Sequence, residues 1–375
     1  MASFKKTSFV TQKDIARLAN VSQSAVAAAL GQSDKIRISE PTRARILKAV
    51  SQLNYTPNRF ASITRSGRSR NIAVLAHGTM LQSVFHRLRH LALLLKEHGF
   101  TAVPHELEWT NCTLDQAWDE ALAARSEGII LASSFGVIPP SVHRKILNSP
   151  VPTISMCGPV IAGIPLLAPD LRTSFHELTG KILQSGRRDL VFLKGRGPEE
   201  SGTHIDWKRT ARAEGFWDAV RENGADKSCS IVEVERIAPD RQTLEHQLGE
   251  KGLATILGGR GEKPPEAVVC FNDNFALGVV SESVRRGLKI PEQMVVTGCD
   301  GEDWTGYGAI PITTIIQPAE AIARKTFELL MSMLAGEAPT EEQTLLPCEI
   351  TWRTSCPHPV SANMPAPSRS RKKVR

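Results

Sequence analysis

The sequence lacks the residue patterns that mark metal-binding, secreted and membrane-spanning proteins. Its seven cysteines are scattered, with no C-x-x-C pair and no histidine at zinc spacing, as is typical of reduced thiols in a cytosolic protein. No stretch of 18 apolar residues occurs, and the N-terminal region has no apolar segment of the signal-peptide kind. We therefore expect a cytoplasmic protein with no metal, no cofactor and no membrane partner.

Motifs for catalysis are missing as well. The segment LKGRGPEESG contains Gly195 and Gly197 but no third glycine at dinucleotide-binding spacing, and ILGGRGEKPP lacks the Lys-Ser or Lys-Thr pair of a phosphate loop. No G-x-S-x-G nucleophile elbow is present. These absences argue against an enzyme.

Acidic residues are scarce at both ends of the chain. Residues 1–70 contain 13 Lys/Arg and 3 Asp/Glu, a net charge of +10, and residues 358–375 contain 5 basic residues and no acidic one. Because the whole chain carries +7, the part between them carries −8. A basic head on an acidic body is typical of a DNA-binding arm on a domain that does not bind DNA, although a solvated basic surface is the simpler alternative.

The basic head has the pattern of three short helices over residues 10–56. Thr11-x-x-Asp14 resembles a capping box that begins the first helix. Asn20-Val21 predicts a turn, after which Ser22 is the expected N-cap of the second helix. Ser39-Glu40-Pro41-Thr42 begins the third helix, and its expected inward residues are Ile46, Leu47, Val50 and Leu53.

The second helix, in VSQSAVAAAL, carries small side chains. At about 100° per residue, one face is formed by Val26, Ala29 and Leu30. The opposite face, which we expect to point outward, is formed by Ser24, Ala27 and Ala28. A short helix after a tight turn indicates a DNA reader, yet these side chains offer few hydrogen bonds to base edges.

From Asn71 onward, short apolar runs alternate with amphipathic stretches. The runs are IAVLA (72–76), GIILA (128–132), VPTIS (151–155), LVFL (190–193), SIVEV (230–234), AVVCF (267–271) and MVVTG (294–298). This alternation predicts doubly wound parallel sheets, and about 285 residues exceed one ordinary sheet. We therefore expect two α/β subdomains.

Several motifs occur in an order that resembles the LacI/GalR family of bacterial transcriptional regulators. They are TQKDIARLANVSQSAVAAAL, ISEPTRARILKAVSQLNYTPN, GIIL, ARAEGF, PEAVVCFNDNFALG, GLKIPEQMVVTGCD, IPITTIIQP and LPCEITWRTSC. The resemblance covers about residues 10 to 355. It implies a small all-α helix-turn-helix domain and a periplasmic-binding-protein-like body of two doubly wound parallel-sheet subdomains, which dimerises and binds a small effector between its lobes.

The resemblance and the sequence texture together suggest domain boundaries. We expect a helix-turn-helix domain at 1–56, a hinge at 57–70, an effector-binding and dimerisation domain at 71–357, and a basic disordered tail at 358–375. Within the body, the expected N-subdomain covers about 71–168 and 318–345, and the expected C-subdomain covers about 169–317 and 346–357. The tail has no leucine heptads, so we expect a homodimer and no coiled-coil tetramer.

The family pattern also implies which residues contact double-stranded operator DNA. Those facing the bases are Gln23, Ser24, Ala27 and Ala28. The phosphate candidates are Thr11, Gln12, Lys13, Ser22, Lys35, Arg37, Thr42, Arg43, Asn58 and Arg59.

Relatives often carry arginine where this chain has Ala28, so a bidentate guanine contact is missing and we expect greater reliance on phosphates and DNA shape. The alternative is that the alanines are only good helix formers and specificity is low. In the hinge, Ala61 begins the pattern Ala-x-x-Leu, but Thr64 replaces the leucine that wedges into the minor groove. Either Ile63 takes over this wedge or the wedge is lost.

The effector cleft is expected beyond the carboxyl ends of the parallel strands. The candidates are His77, Ser133, Trp207, Arg212, Asn272, Asp300 and Gln317. By resemblance, Arg212 and Asp300 line the cleft, although an ion pair and a turn cap are their structural alternatives. Met156-Cys157-Gly158 stand where relatives have an aspartate, which puts a usual sugar contact in doubt.

These features predict a sequence-specific DNA-binding transcriptional regulator, and we expect a repressor rather than an activator. We expect its operator affinity to be controlled by a small effector, and a sugar is the first candidate. Two alternatives stay open at this point. One is a cytosolic small-molecule-binding protein, and the other is a weakly specific DNA binder with degenerate base readout.

Overall fold

The computed structural model describes residues 10–30, 37–56, 67–77, 82–107, 114–132, 138–196, 207–235 and 245–358, and the side chains of His77, Gln82 and residues 207–209 are outside this description. The chain divides into two compact units, residues 1–70 and residues 71–375. No helix within the described ranges is long and apolar enough to span a membrane.

The first unit, the head, contains the three predicted helices. They are α1 (Gln12–Ala19), α2 (Gln23–Ala29) and α3 (Glu40–Gln52). The Thr11 N–H and hydroxyl donate to the Asp14 carboxylate at 2.9 and 2.7 Å, which confirms the capping box. Asn20 turns the chain with φ 51°, and Ser22 Oγ accepts from Ala25 N at 3.1 Å as the N-cap of α2.

The head has its own small apolar core, in which the three helices meet. Its buried members are Ile15, Ala16, Ala19, Val26, Ala29, Ile46, Ala49 and Tyr55. The prediction that Leu47 points inward is wrong, because this side chain is 47% exposed. The buried face of α3 passes through Ile46 and Ala49, and Leu47 lies about 100° around the helix from Ile46.

The second unit, the body, contains two sheets, as predicted, and each sheet has six strands. The first sheet is entirely parallel and has the order β11-β5-β4-β3-β1-β2. Its strands are β1 (Asn71–His77), β2 (Thr101–Leu107), β3 (Gly128–Leu131), β4 (Thr153–Met156), β5 (Leu166–Pro169) and β11 (Gln343–Leu346). With its helices it forms the N-lobe. These helices are α4 (Gln82–Glu97), α5 (Leu114–Ala123), α6 (Pro140–Leu147) and α11 (Ala319–Leu334).

The second sheet has the order β12-β10-β9-β8-β6-β7 and is parallel except for the edge pair β10–β12. Its strands are β6 (Leu190–Gly195), β7 (Ser230–Val234), β8 (Ala267–Cys270), β9 (Val295–Asp300), β10 (Thr313–Ile316) and β12 (Glu349–Thr351). The helices of this C-lobe are α7 (Leu171–Gln184), α8 (Trp207–Glu222), α9 (Glu245–Gly258) and α10 (Asp273–Arg285), with a 3₁₀ turn at Asp303–Gly306.

Each sheet is covered by apolar side chains on both faces. In the C-lobe, Phe175 of α7 and Phe216 of α8 pack against Phe192 of β6 on one face, with ring centroids 5.7 and 5.6 Å from that of Phe192. On the other face, α9 and α10 pack against the sheet through Leu253 and Phe275. In the N-lobe, Trp118 of α5 is fully buried against one face, and Phe327 of α11 packs on the other. This double coverage explains why the central strands read as continuous apolar runs.

The order of strands fixes where a ligand can bind. In each sheet the second strand lies on one side of the first strand, and the later strands follow on its other side. The strand order therefore changes direction between β1 and β3 in the N-lobe and between β6 and β8 in the C-lobe. Ligands of doubly wound sheets bind beyond the carboxyl ends of the strands at such points. The described chain passes between the lobes at three places, namely Asp170, Gln317–Pro318 and Pro347–Cys348.

Two glycines let α9 and α10 approach closely enough to position the start of α10 at the cleft. A Cβ added to Gly278 would lie 1.9 Å from the His246 carbonyl oxygen, and one added to Gly249 would lie 2.2 Å from that of Phe275. Both neighbours are backbone atoms, which cannot move away as a flexible side chain would. The contact therefore requires glycine on both helices.

We expect Gly278→Ala to lower the free energy of unfolding by about 1–3 kcal/mol or more, because the methyl group overpacks a backbone contact. Gly180→Ala in α7 is the control, since a Cβ there meets nothing within 4 Å and alanine favours a helix by about 0.5–1 kcal/mol. Urea unfolding of both variants measures the effect. Equal stabilities of the Gly278 variant and the wild type would contradict this account of the helix contact.

Candidate functional site

The head presents the first turn of α2 as a polar surface. Ser22, Gln23 and Ser24 are exposed, and the Oγ atoms of the two serines lie 2.9 Å apart. Gln23 Nε2 donates to Gln12 Oε1 at 3.5 Å, so one side chain of α1 helps to orient the glutamine. The N-terminal residues of the second helix are the ones that helix-turn-helix proteins bring to base edges.

The outward face predicted for α2 is only partly present. The prediction that Ala27 and Ala28 point outward is wrong, because they are 7% and 6% exposed. The short helix packs against α1 and α3, and a methyl group that barely rises above the helix backbone is easily covered by such neighbours. Gln12 is also buried, which differs from the surface position that a phosphate contact requires.

Arg43 has a structural contact that the sequence did not indicate. Its guanidinium on α3 donates to the Ala29 carbonyl oxygen at 3.0 Å, at the C-terminal end of α2. A cation there satisfies a free carbonyl and complements the helix dipole. The side chain is still 41% exposed, so this arginine fixes α2 while remaining at the surface.

The other predicted DNA contacts divide into described and undescribed positions. Thr11, Lys13 and Arg37 are exposed, and Thr42 is half-buried with its hydroxyl 2.9 Å from Ser39 Oγ. Outside the described residues lie Lys35, Asn58, Arg59, Ala61, Ile63 and Thr64. The hinge wedge therefore stays a prediction.

In the body, the structure brings three of the predicted cleft residues together. Asp300, at the carboxyl end of β9, accepts from Arg212 Nη2 at 3.3 Å and from Gln317 Nε2 at 2.5 Å. Both members of the ion pair are buried. Gln317 belongs to the second passage between the lobes, so this constellation lies where the N-lobe and the C-lobe meet.

The backbone at the end of β9 is strained at Asp300, whose carboxylate binds Arg212 and Gln317. Asp300 has φ 120°, which residues other than glycine rarely adopt and which costs about 1–3 kcal/mol. Gly301 follows with φ 72°, and a Cβ on it would lie 2.9 Å from Ile316 Cα. Such strain persists only where the surrounding structure holds it, and it is typical of binding sites.

Arg212 is held by aromatic rings as well as by its carboxylate partner. Its guanidinium carbon lies 4.2 Å from the ring centroid of Phe271 and 6.0 Å from that of Phe175. Cation–π contacts of this kind favour a desolvated guanidinium. Phe271 directly follows β8, is half-buried and packs against both apolar clusters of the C-lobe.

Burial raises the pKa of Asp300, and the positive charge of Arg212 opposes this shift. The carboxyl of Asp273 lies deeper, and burial raises its pKa well above the ordinary value of 3.8, with the nearby Asp300 charge adding to the effect. Asp273 accepts the Thr314 hydroxyl at 2.6 Å and the Glu302 N–H at 2.8 Å. Its carboxyl therefore ties the loop after β9 to β10.

Two contacts between the lobes involve residues that the sequence did not single out. Glu302 Oε1 of the C-lobe accepts from Ser83 N at 3.1 Å, in the first turn of the N-lobe helix α4. Arg87, one turn further along α4, donates from Nη1 to Gln317 Oε1 at 2.9 Å. Glu302 follows Asp300-Gly301 and could have been suspected, whereas no sequence signal marks Arg87.

Asn272 has a structural function at the cleft. Its Oδ1 accepts from Phe275 N at 3.0 Å as the N-cap of α10, and its Nδ2 donates to Glu245 Oε2 at 2.6 Å. Both ends of the amide are engaged and the residue is buried. A direct effector contact by Asn272 would have to replace one of these bonds.

The structure describes the remaining cleft candidates only in part. His77 ends β1 and Trp207 begins α8, but neither side chain is described, and Ser133 lies outside the described residues. Met156, Cys157 and Gly158 are buried, so the position after β4 offers no polar side chain to a ligand. Within the described ranges, no group of three or more potential ligands could hold a metal ion.

Comparison with known proteins gives two matching domain families. Residues 11–58 match the bacterial regulatory proteins of the lacI family, and residues 180–356 match a periplasmic binding protein-like domain. The HTH-type transcriptional repressor CytR of Escherichia coli K12 is 27% identical over 356 residues, which is 95% of this chain and 98% of the relative.

Solved structures share the fold over most of the chain. A lac repressor dimer bound to operator and the anti-inducer ONPF has a TM-score of 0.77 at 21% identity, covering 93% of this chain and 100% of that one. The complex of the transcriptional regulator CelR with cellobiose has a TM-score of 0.62 at 19% identity, with 92% and 99% covered.

The raised pKa of Asp273 predicts a pH dependence of stability. Above about pH 4 the unfolded chain loses this proton while the native state retains it, so the contribution of Asp273 to stability falls as the pH rises toward its native pKa. We expect the stability of wild type relative to Asp273→Asn to fall over that range in urea unfolding. Asp303→Asn, which alters an exposed carboxylate nearby, is the control. A relative stability that rises with pH would show that Asp273 is ionised and stabilising.

Proposed function

The chain belongs to the lacI family of bacterial regulatory proteins, as a DNA-binding transcriptional repressor with a ligand-binding body, and from this premise we propose that a small carbohydrate in the interlobe cleft controls its affinity for an operator. The observation that carries this proposal is the buried constellation of Asp300, Arg212 and Gln317. In this constellation the acceptor Asp300 and the donor Arg212 meet Gln317, which lies in a passage between the lobes.

The chemistry of the cleft suits a polyhydroxylated ligand. The Asp300 carboxylate can accept from a sugar hydroxyl, and the Arg212 guanidinium can donate to a sugar oxygen. The half-buried Phe271 ring adds an apolar face of the kind found in ligand sites. The cellobiose complex of the similar regulator CelR supports a sugar as the ligand class. We propose that His77, Ser133 and Trp207 complete the cleft wall.

Regulation would follow from the position of Gln317 in a passage between the lobes. A ligand that binds one arrangement of the lobes better than another shifts their populations by the difference between its affinities. Gln317 connects Arg87 of the N-lobe to Asp300 of the C-lobe, so a ligand that competes for Asp300 would change a contact between the lobes. We propose this rearrangement as the effector signal.

On the DNA side, we propose that Gln23 and Ser24 read base edges and that the basic side chains of the head contact phosphates. Glutamine can pair with adenine through two hydrogen bonds, whereas serine is permissive. Buried Ala27 and Ala28 add little to direct readout. Phosphate contacts by Lys13 and Arg37, both exposed, would then carry much of the affinity.

The same burial favours a second candidate function, a repressor with weak sequence specificity. Such a protein would keep the basic head but discriminate little between its operator and random DNA. The ratio of specific to nonspecific affinity, which ranges over about 10³–10⁷ for typical regulators, separates the two possibilities.

We also propose that the body forms a homodimer. Exposed apolar side chains stand on helices of both lobes, with Phe85 and Leu93 on α4 and Leu277 and Val284 on α10. Exposed apolar groups of this size are typical of protein interfaces. The similar lac repressor structure is a dimer on its operator, which supports the proposal, and sedimentation equilibrium of the full chain tests it.

We expect two head variants to change different properties of DNA binding, namely base preference and overall affinity. Gln23→Ala should relax preference at one base pair, by about 1–3 kcal/mol, without changing the salt dependence, because glutamine releases no counterion. Lys13→Ala should weaken binding to all sequences together and reduce the slope of log K against log salt by about 1. Selection from a randomised operator library at two salt concentrations measures both effects.

The control for the head is Gln52→Ala, which removes an exposed glutamine near the end of α3. It should leave both base preference and salt slope unchanged. Wild-type preference retained in full by the Gln23 variant would contradict direct readout by α2.

For the cleft, we expect a sugar that raises the melting temperature of the wild type to lose about tenfold or more in affinity on Asp300→Asn, because a hydrogen bond to a charged group is removed. A thermal-shift panel of mono- and disaccharides provides the measurement. Asp303→Asn is again the matched control. Equal responses of the Asp300 variant and the wild type would place the effector elsewhere, and a panel without any response would argue against a carbohydrate.

A further inference from the structure

Arg87 is a buried cation whose described partner is neutral. The residue is 4% exposed, and Nη1 donates to the amide oxygen of Gln317 at 2.9 Å. Among the described residues, no carboxylate lies within 4.0 Å of its guanidinium nitrogens, although the structure contains many ion pairs within that distance elsewhere. Arg87 thus differs from Arg212, the other buried arginine of the cleft, which has Asp300 as its counter-ion.

The carboxylate of Asp300 interacts electrostatically with Arg87 but forms no direct ion pair with it. The Gln317 amide lies between them and bonds Arg87 with its oxygen and Asp300 with its nitrogen. The Asp300 carboxylate already has Arg212 as its direct partner. A buried guanidinium that lacks a paired anion is costly, so a site of this kind favours an incoming negative group.

The same end of α4 already receives a carboxylate. Ser83 is four residues before Arg87 and therefore on the same face of the helix, and its N–H binds Glu302 of the opposite lobe. Helix N-termini favour negative charge because their first N–H groups are free and the dipole is positive there. The first turn is thus already bound by one carboxylate, and Arg87, one turn further along α4, is the cation on this face that has no carboxylate of its own among the described residues.

We infer that the effector carries an anionic group, a carboxylate or a phosphate, that binds Arg87. This inference rests on the proposed function, because it assumes that the effector occupies the interlobe cleft. It narrows the ligand class from sugars in general to sugar acids and sugar phosphates. Asp300 and Arg212 would bind the hydroxyl-bearing part of the ligand, and Arg87 its charged end.

The first test uses inorganic phosphate as the probe. Phosphate should raise the melting temperature of the full-length wild type more than chloride does at the same ionic strength, and Arg87→Gln should lose this difference. Glutamine is polar and uncharged, so the variant removes the charge without placing an apolar side chain at this position. Arg89→Gln, an exposed position two residues along the same helix, is the control and should respond like the wild type.

Phosphate that binds to the basic head affects all three proteins equally and cancels in the comparison. A purely structural function of Arg87 would lower the stability of Arg87→Gln in chloride and leave its response to phosphate unchanged. That result, or a wild type that responds no more to phosphate than to chloride, would overturn the inference.

The second test compares three forms of one sugar, namely the neutral hexose, its uronate and its phosphate monoester. The wild type should bind an anionic form at least about tenfold more tightly than the neutral form, and Arg87→Gln should abolish this preference. The uronate and phosphate arms decide which anion is preferred. Arg87→Lys should keep part of the preference, because it retains the charge without the planar guanidinium.

The outcomes separate this inference from the proposed function. Equal binding of the neutral and anionic forms, with loss of both on Asp300→Asn, would overturn the anionic effector and leave the cleft as the site. Anion preference that depends on Arg87 but does not alter operator affinity would support the anion site and argue against its regulatory function. Failure of all three forms to bind would overturn the inference.

Discussion

The buried carboxylate of Asp300 is the group on which the arrangement of the cleft depends. A carboxylate at the end of a buried strand needs donors, and here they come from Arg212 on α8 and from Gln317 in a passage between the lobes. Arg212 is in turn held by Phe271, and the strained φ of Asp300 is fixed by Gly301 against Ile316. Satisfying one buried charge therefore ties together β8, β9, β10, α8 and the interlobe passage.

The sequence was most informative where strands are buried on both faces. Runs such as GIIL and AVVC form β3 and β8, whose residues are all buried. The equally buried β5 was not predicted. The edge strand β2 was not predicted. Its residues Thr101–Leu107 are mostly half-exposed and include Pro104, so its position depends on pairing with β1 and leaves little trace in composition.

The candidate site was predictable to the extent that its residues follow strands. Asp300 ends β9, and the parallel topology places it at the binding edge whatever the detailed packing. The position of Arg87 at the cleft and the burial of Ala27 depend on how helices pack against their neighbours. A helical wheel shows which residues share a face, but it does not show which faces are covered. The helical period identified which residues of α2 share a face, but a seven-residue helix between two neighbours buries more of its circumference than one stripe.

The three passages between the lobes have a mechanical consequence. Two bodies joined by three short tethers, at Asp170, Gln317–Pro318 and Pro347–Cys348, keep few independent movements. The first and third tethers are also fastened to each other, because Asp170 N donates to the Leu346 carbonyl oxygen at 2.7 Å. Sliding or separating the lobes would stretch backbone at several of these connections at once. Rotation of the lobes about the connected region instead requires only changes in a few backbone dihedral angles, and the displacement that it produces grows with distance from that region.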